Sequence, residues 1–386
     1  MKITGDWLRH KGTVAVMAAL EGAGHRALFV GGCIRNAILA EPVGDIDIAT
    51  DAKPDAVTKA AERAGLRVVP TGLDHGTVTV IAGGRAHEVT TFRRDLATDG
   101  RHATIAFSTR LEDDAARRDF TMNAIYADRD GTIVDPLNAL ADLQSRQLRF
   151  VGDPASRIRE DYLRILRFFR FYAWYGDPAS GPDPDALAAC AALQDGLEGL
   201  SRERIGAEIR KLLSAPDPAP ALSAMASTGI LSRILPGATP RSLAELIHRE
   251  AGVPCRWLRR LAVIGGENPL ETLRLSRQEN TTFLQISDAI SSGRSPAVLG
   301  HLLGVDTATD ALLARVSVLG GTLPADWQRD VARGAASVLP VSAKDLMPHL
   351  SGPALGRRLR QIEQRWLDSD LHVTKAELLN GNKVRD

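Results

Sequence analysis

Three cysteines in 386 residues, Cys33, Cys190 and Cys255, are too few, too far apart and of the wrong parity for a disulfide framework or a zinc site. They are expected to be reduced thiols with no disulfide partner. No stretch approaches roughly 18 uninterrupted apolar residues, which argues against a membrane helix. Met1 to Lys11 carries charges and a tryptophan but no apolar core of signal-peptide length, so the chain is expected in the cytoplasm. Charge of one sign is also missing: 48 Lys and Arg stand against 47 Asp and Glu, a net charge of +1. Any nucleic-acid partner must therefore be met by basic residues concentrated locally, not by a whole-protein field. There is no G-x-G-x-x-G and no G-K-[ST] after a strand, which removes the Rossmann and P-loop readings. No internal repeat or low-complexity tract is visible.

What is present suits two to four compact units. The chain is organised around Ala27 to Thr50, ALFVGGCIRNAILAEPVGDIDIAT. The apolar run Ala27 to Val30 predicts a buried strand, Gly31-Gly32 breaks it, and Cys33 to Ala40 predicts a short helix. In Gly44-Asp45-Ile46-Asp47-Ile48, strand alternation would put Asp45 and Asp47 on one face. Two neighbouring carboxylates repel unless a cation sits between them. An open set of hard oxygen ligands suits Mg²⁺ bridging to phosphates. The glycine pair allows close backbone approach, the following helix N-terminus favours anions, and Arg35 adds a charged fork. The combination reads as a site for a nucleoside triphosphate and its metals.

These residues resemble the class II tRNA nucleotidyltransferase and bacterial poly(A) polymerase family, within the polymerase-beta-like superfamily. The family pattern G-G-x-[IV]-R-D followed by D-x-D stands here as Gly31-Gly32-Cys33-Ile34-Arg35-Asn36 and Asp45-Ile46-Asp47. Asn36 replaces the usual Asp, a departure that touches local hydrogen bonding and not the metal pair. A second signature, R-R-D-F-T-x-N-A, is matched by Arg117, Arg118, Asp119, Phe120, Thr121, Asn123 and Ala124. An Asp beside paired arginines can accept from a ribose hydroxyl while an Arg binds triphosphate oxygens. A third, E-D-x-x-R, is present as Glu160, Asp161 and Arg164, with Arg167 flanking it. The resemblance implies that this Asp and Arg pair with the incoming base. A carboxylate can accept from the exocyclic amine of C or A, and a guanidinium can donate to ring nitrogens or O2.

Elsewhere, residues 5 to 23, Asp51 to Gly65 and Asp153 to Tyr175 predict helices, the last as one continuous element capped by Asp153 and stopped by Gly176. Leu66 to Val69, Thr77 to Ile81 and His87 to Phe92 predict strands, the last two joined through Gly83-Gly84. Glu88 lies where the superfamily often has a third carboxylate, a candidate for metal binding or nucleophile activation. Arg93 to Ala106 has no clear period and predicts a mobile loop. Ser201 caps a helix with Ile205, Ile209, Leu212 and Leu213 inside and Arg202, Arg204, Arg210 and Lys211 outside. After Pro216 no strand signal survives. Arg256, Arg259 and Arg260 around Trp257 form a basic patch that suits either RNA backbone contact or snorkelling on an amphipathic helix. No His-Asp dipeptide occurs, so the phosphohydrolase domain of some family members is not expected.

The fold expected is α+β: a polymerase-beta-like head with a small mixed sheet at 1–140, then an all-α neck (141–215), body (216–320) and tRNA-binding tail (321–386). The resemblance implies addition of CCA to the 3′ end of tRNA from CTP and ATP without a nucleic-acid template, using two Mg²⁺ ions. The catalytic residues expected are Asp45, Asp47 and Glu88, with Asp45 and Asp47 on the metals. Nucleotide contacts are expected from Gly31, Gly32, Arg35, Arg117, Arg118, Asp119, Asn123, Asp161, Arg164 and Arg167. Poly(A) addition and CC-only or A-only addition are the neighbouring activities; an inactive RNA-binding protein is the alternative of another class.

Overall fold

The computed structural model describes residues 1–72, 75–99, 102–347 and 349–380, with only the backbone at 95–99 and 102–104. The fold is α+β, and it divides into two compact units, Met1–Ile230 and Leu231–Asp386.

Among its described residues the first unit is built on nine strands: β1 (Ala27–Val30), β2 (Ile46–Thr50), β3 (Arg67–Gly72), β4 (Thr77–Ala82), β5 (Arg85–Thr91), β6 (Arg93–Asp99), β7 (His102–Phe107), β8 (Tyr126–Ala127) and β9 (Ile133–Val134). Seven form one mixed sheet in the order β3-β4-β5-β2-β1-β8-β9, in which only the β2–β5 pair is parallel. Alternation sets the faces: in β4 Val78, Val80 and Ala82 are buried, and in β5 His87, Val89 and Thr91. The helices Lys11–Gly22 and Pro54–Arg63 pack on this sheet. Leu28, Val30, Ala49 and Tyr126 belong to a core cluster closed by Leu111, Ala115, Phe92 and Val151.

Two expectations change here. The segment from Arg93 to Ala106 is not an irregular loop: β6 and β7 pair antiparallel as a separate two-stranded sheet, with residues 100 and 101 outside the described residues. Backbone pairing, to which side-chain periodicity is blind, organises it. The single helix expected from Pro154 to Tyr175 is two, Pro154–Glu160 and Leu163–Tyr175. Asp153 caps the first as expected, its Oδ2 accepting from Ser156 N at 2.7 Å. The break falls at Asp161, which is extended at φ −156° and ψ 106°. Its side chain accepts from Leu163 N at 3.1 Å, the local competition with helical bonding typical of Asp.

The second unit is helical throughout its described residues. Pro296–Leu319, two helical stretches meeting at a kink at Gly304 (φ 75°), packs closely against Trp327–Ala336. They approach through glycine: a Cβ at Gly334 would lie 1.8 Å from the Ala297 carbonyl oxygen, and one at Gly300 2.2 Å from that of Val331. The boundary expected between 320 and 321 therefore runs between two helices that share one core. The patch expected around Trp257 is largely internal. Arg259 and Arg260 are buried and paired with Glu250, at 2.7 Å each, which removes them as RNA contacts. Among the described residues no helix is long and apolar enough to cross a membrane.

Candidate active site

The site begins where β1 ends. Gly31 takes φ +71° as N-cap of the Gly32–Ile38 helix, a left-handed conformation that favours glycine. A Cβ there would lie 3.6 Å from both Arg118 Nη1 and Asp47 Oδ2, so the bare backbone turns between a cation and a carboxylate. Val30 is the register partner of Asp47 across β1–β2, and Asp47 is that of Glu88 across β2–β5. Sheet pairing thus brings together carboxylates 41 positions apart in sequence. Asp45 lies in the bend just before β2, exposed, rather than within the strand as expected.

The Asp47 carboxyl is pushed up to about 6, first by burial, then by the charge of Glu88 and, less, of Asp45, against the pull of Arg118 and Arg35. Carboxylates crowded enough to resist ionising are a site that gains from a cation. Among the described residues no three His, Cys, Asp or Glu side chains form a ready-made metal cage. The donor set that fits a divalent ion is the Asp45 and Asp47 pair, whose hard oxygens leave positions free for phosphate. Cys33, beneath this turn, is pushed up to about 12 by burial and is inert as a thiolate.

Arg118 is held by a residue that sequence reasoning passed over. Asp114, 1% exposed, accepts from Arg117 Nε at 2.8 Å, Arg118 Nη2 at 2.9 Å and Tyr126 Oη at 2.7 Å. Burial would raise its carboxyl, but Arg118 and Arg117 outweigh burial and hold it at about 2. The signal was available: Asp114 stands three and four positions before the two arginines, the spacing at which helical side chains meet. Arg118 also donates to Tyr126 Oη at 3.0 Å and to the Asn123 carbonyl at 3.2 Å.

A second network joins the Gly32–Ile38 helix to the Leu163–Tyr175 helix. Arg35, 7% exposed, donates to Asn123 Oδ1 at 2.7 Å, to Tyr175 Oη at 2.8 Å and to Asn36 Oδ1 at 3.0 Å, with Tyr175's ring 3.9 Å from the guanidinium. Asn36 in turn donates to the Pro42 carbonyl at 2.7 Å, which a carboxylate could not do. Asn123 donates to Asp119 Oδ1 at 2.9 Å. Asp119 also accepts from Phe120 N at 2.9 Å and, on Oδ2, from Arg167 Nε at 2.9 Å and Arg167 Nη2. Four donors fill the carboxylate's acceptor capacity, so Asp119 is a fixed internal hub here and not a free acceptor for ribose.

Asp161 and Arg164 do not lie on one continuous helix, because the helix breaks at Asp161. Arg164 Nη1 donates to the Arg157 carbonyl at 2.9 Å and to Glu160 Oε2, which Arg157 Nη1 shares at 2.9 Å. Asp161 Oδ2 accepts from Arg204 Nη2 at 2.7 Å. Arg204 was expected to face solvent on the Arg202–Leu213 helix; with 43 positions between them, no local pattern links the two. Arg170, on the Leu163–Tyr175 helix, pairs with the buried Glu208 at 2.6 Å. These pairs leave Arg164 one helical turn from Arg167 and its link to Asp119. At Gly32 the nearest atom to an ideal Cβ, apart from the helix's own backbone, is Nη2 of Arg35 on the same helix, at 3.7 Å.

Comparison with known proteins shows two matches to family models: "Poly A polymerase head domain" over residues 27–149 and "Probable RNA and SrmB- binding site of polymerase A" over residues 182–241. A CCA-adding enzyme of Geobacillus thermodenitrificans is 40% identical over 95% of this chain and 92% of its own length. The mouse mitochondrial CCA tRNA nucleotidyltransferase 1 is 32% identical over 92% of this chain and 86% of its own. Among solved structures, the Bacillus stearothermophilus CCA-adding enzyme in complex with CTP superimposes with a TM-score of 0.74 and 28% identity, covering 99% of both chains.

Proposed function

The chain belongs to the CCA-adding tRNA nucleotidyltransferase family, and from that premise we propose that it adds C, C and A to the 3′ end of tRNA, taking CTP and ATP and releasing pyrophosphate. The observation that carries the reading is the junction of Gly31, Asp47, Glu88 and Arg118, where one turn places crowded carboxylates beside a guanidinium. Asp45 and Asp47 would hold the divalent ions, two Mg²⁺ in this reading, which would activate the terminal 3′ hydroxyl and neutralise charge on the leaving pyrophosphate.

The protein's own residues do the rest. Gly31 and Gly32 admit the triphosphate to the backbone, and Arg118 offers Nη1 beside Asp47. Arg117 and Arg118 are held by Asp114, so their charges are fixed before substrate arrives and need little reorganisation. Arg35, Asn123, Asp119 and Arg167 set the position of the Leu163–Tyr175 helix against the phosphate turn. Asp161 and Arg164 then read the base. Carboxylate and guanidinium suit the amine-bearing edges of C and A and not the carbonyls that U and G place there. Glu88 shapes the field at Asp47 from the neighbouring strand. In this division of labour residues 1–140 do chemistry, 141–215 select the base, and 216–320 and 321–386 hold the tRNA.

The experiment is direct. A tRNA lacking its terminal CCA is given CTP alone, ATP alone, then both, and the 3′ product is sequenced. Two C residues with CTP alone and a single terminal A only when both are present is the expected outcome. A run of A from ATP alone would make the chain a poly(A) polymerase instead.

A further inference from the structure

A buried guanidinium is normally paired with a carboxylate, and Arg35 is not. It is 7% exposed, yet among the described residues all its hydrogen-bond acceptors are neutral: the side-chain oxygens of Asn36 and Asn123 and the hydroxyl of Tyr175. Asn36 stands where the family pattern has Asp, so the neighbour that would have taken up this charge carries none. Asp119, whose field also reaches Arg35, is bonded to Arg167 instead. What compensates the buried charge is aromatic. The Tyr175 ring centroid lies 3.9 Å from the guanidinium carbon, and that of Phe171 5.2 Å. A ring face attracts a cation without neutralising it, most strongly where water is excluded.

The charge kept in this way lies at the phosphate turn. Arg35 Nη2, the nitrogen that donates to Tyr175, is also 3.7 Å from an ideal Cβ at Gly32, and the Asp47 carboxyl is drawn down by the Arg35 charge. Most of the guanidinium's N–H donors are already used by Asn36, Asn123 and Tyr175, so what Arg35 offers a ligand is its field more than a contact. Tyr175 is the last residue of the Leu163–Tyr175 helix, the element that also carries Arg164 and Arg167. We propose that Tyr175 is a positioning residue of the reaction: its ring and hydroxyl hold the Arg35 guanidinium beside Gly32 with its charge unspent, and that charge serves the triphosphate of the incoming nucleotide. The proposal rests on the reading of this turn as a nucleoside-triphosphate site. A field acting on phosphates is blind to the base, which separates the work of Tyr175 from that of Asp161 and Arg164.

Three variants of the full chain test this. Tyr175→Leu removes ring and hydroxyl, Tyr175→Phe the hydroxyl alone, and Asn36→Asp sets a carboxylate on Arg35 while losing a surface bond to the Pro42 carbonyl. Each is assayed for CTP and ATP incorporation into tRNA lacking its CCA and, by isothermal titration, for binding of inorganic tripolyphosphate with Mg²⁺; circular dichroism checks the fold. Tyr175→Leu and Asn36→Asp should raise KM for CTP and ATP alike, and weaken tripolyphosphate, by about tenfold, with Tyr175→Phe recovering most of the loss through its ring. Selectivity among the four nucleotides and KM for tRNA should stay as in wild type. Unchanged nucleotide KM and tripolyphosphate binding in Tyr175→Leu, or a fall in kcat alone, makes Tyr175 a packing residue and overturns the proposal; should that variant not fold, the same outcome in Asn36→Asp overturns it. Tripolyphosphate binding that follows the expected order of variants in a chain that builds no CCA would sink the reading of the product and leave the role of Tyr175 standing. Wild type that neither binds tripolyphosphate nor incorporates a nucleotide overturns both.

Discussion

Replacing Asp114 by Asn keeps the shape and removes the charge that holds Arg117 and Arg118. The cost follows from the structure. In the folded protein the carboxyl sits at about 2 against an ordinary 3.8, and at about 1.36 kcal/mol per pH unit this gap is worth about 2 kcal/mol. That value is the cost of losing the charge by protonation, with all contacts otherwise kept. Asn adds a further penalty, because its amide turns N–H donors toward two guanidiniums that also have only donors. Breaking a buried ion pair from one side typically costs about 3 to 5 kcal/mol, so a loss between about 2 and 5 kcal/mol is expected. The pH dependence has a definite sign. A depressed carboxyl contributes fully above its unfolded value and loses that contribution as pH falls through the folded value, so the gap between wild type and variant should be full at pH 7 and shrink from 3.8 toward about 2. Urea unfolding at pH 7 and in the acid range measures both. With Arg118 loosened beside Gly31 and Asp47, kcat/KM should fall for CTP and ATP by one common factor. A variant within about 1 kcal/mol of wild type at pH 7, or a gap that widens in acid, would refute the argument that Asp114 anchors this corner.

Asp47→Asn should cut CTP and ATP incorporation by several orders of magnitude while leaving stability equal or higher, since burial and Glu88 already oppose its charge; turnover above about a tenth of wild type, a barrier change of only about 1.4 kcal/mol, would sink the metal assignment. Asp161→Ala should let UTP or GTP enter, losing roughly ten- to a hundredfold in discrimination; kcat/KM for all four nucleotides on tRNA lacking CCA reads this, and a uniform loss would make Asp161 structural. Arg164→Ala should blur selection likewise, with exposed Arg159→Ala as the control, because Arg157 shares Glu160 with Arg164. Gly334→Ala should destabilise the second unit by about 1 to 3 kcal/mol, since its Cβ would meet the Ala297 carbonyl at 1.8 Å; an unchanged melting profile would show that these helices separate without cost.

The candidate site was legible as motifs wherever its residues are contiguous. Gly31-Gly32, the Asp45 and Asp47 pair, the Arg117 to Asn123 run and the Glu160 to Arg164 run each stand out as residue types in a short span, although Asp45 lies just before its strand and the helix breaks at Asp161. The α+β division and the loss of strands after residue 216 were legible for the same reason, since periodicity changes from two to three or four. Partnership was not. That Glu88 lies across from Asp47 depends on β2 and β5 pairing in parallel, which no single-strand pattern encodes. That Asp161 is paired depends on Arg204, supplied from a later helix. The Trp257 patch suited either an RNA surface or snorkelling arginines in sequence and is mostly an internal ion-pair network, because the residues that neutralise Arg259 include Asp310, 51 positions away. The sequence by itself determined which functional groups the protein owns and the local backbone that displays them. Only the tertiary structure decided which charges are spent on one another and which are left for a ligand, because a hydrogen bond or ion pair forms between neighbours in space whatever their separation along the chain.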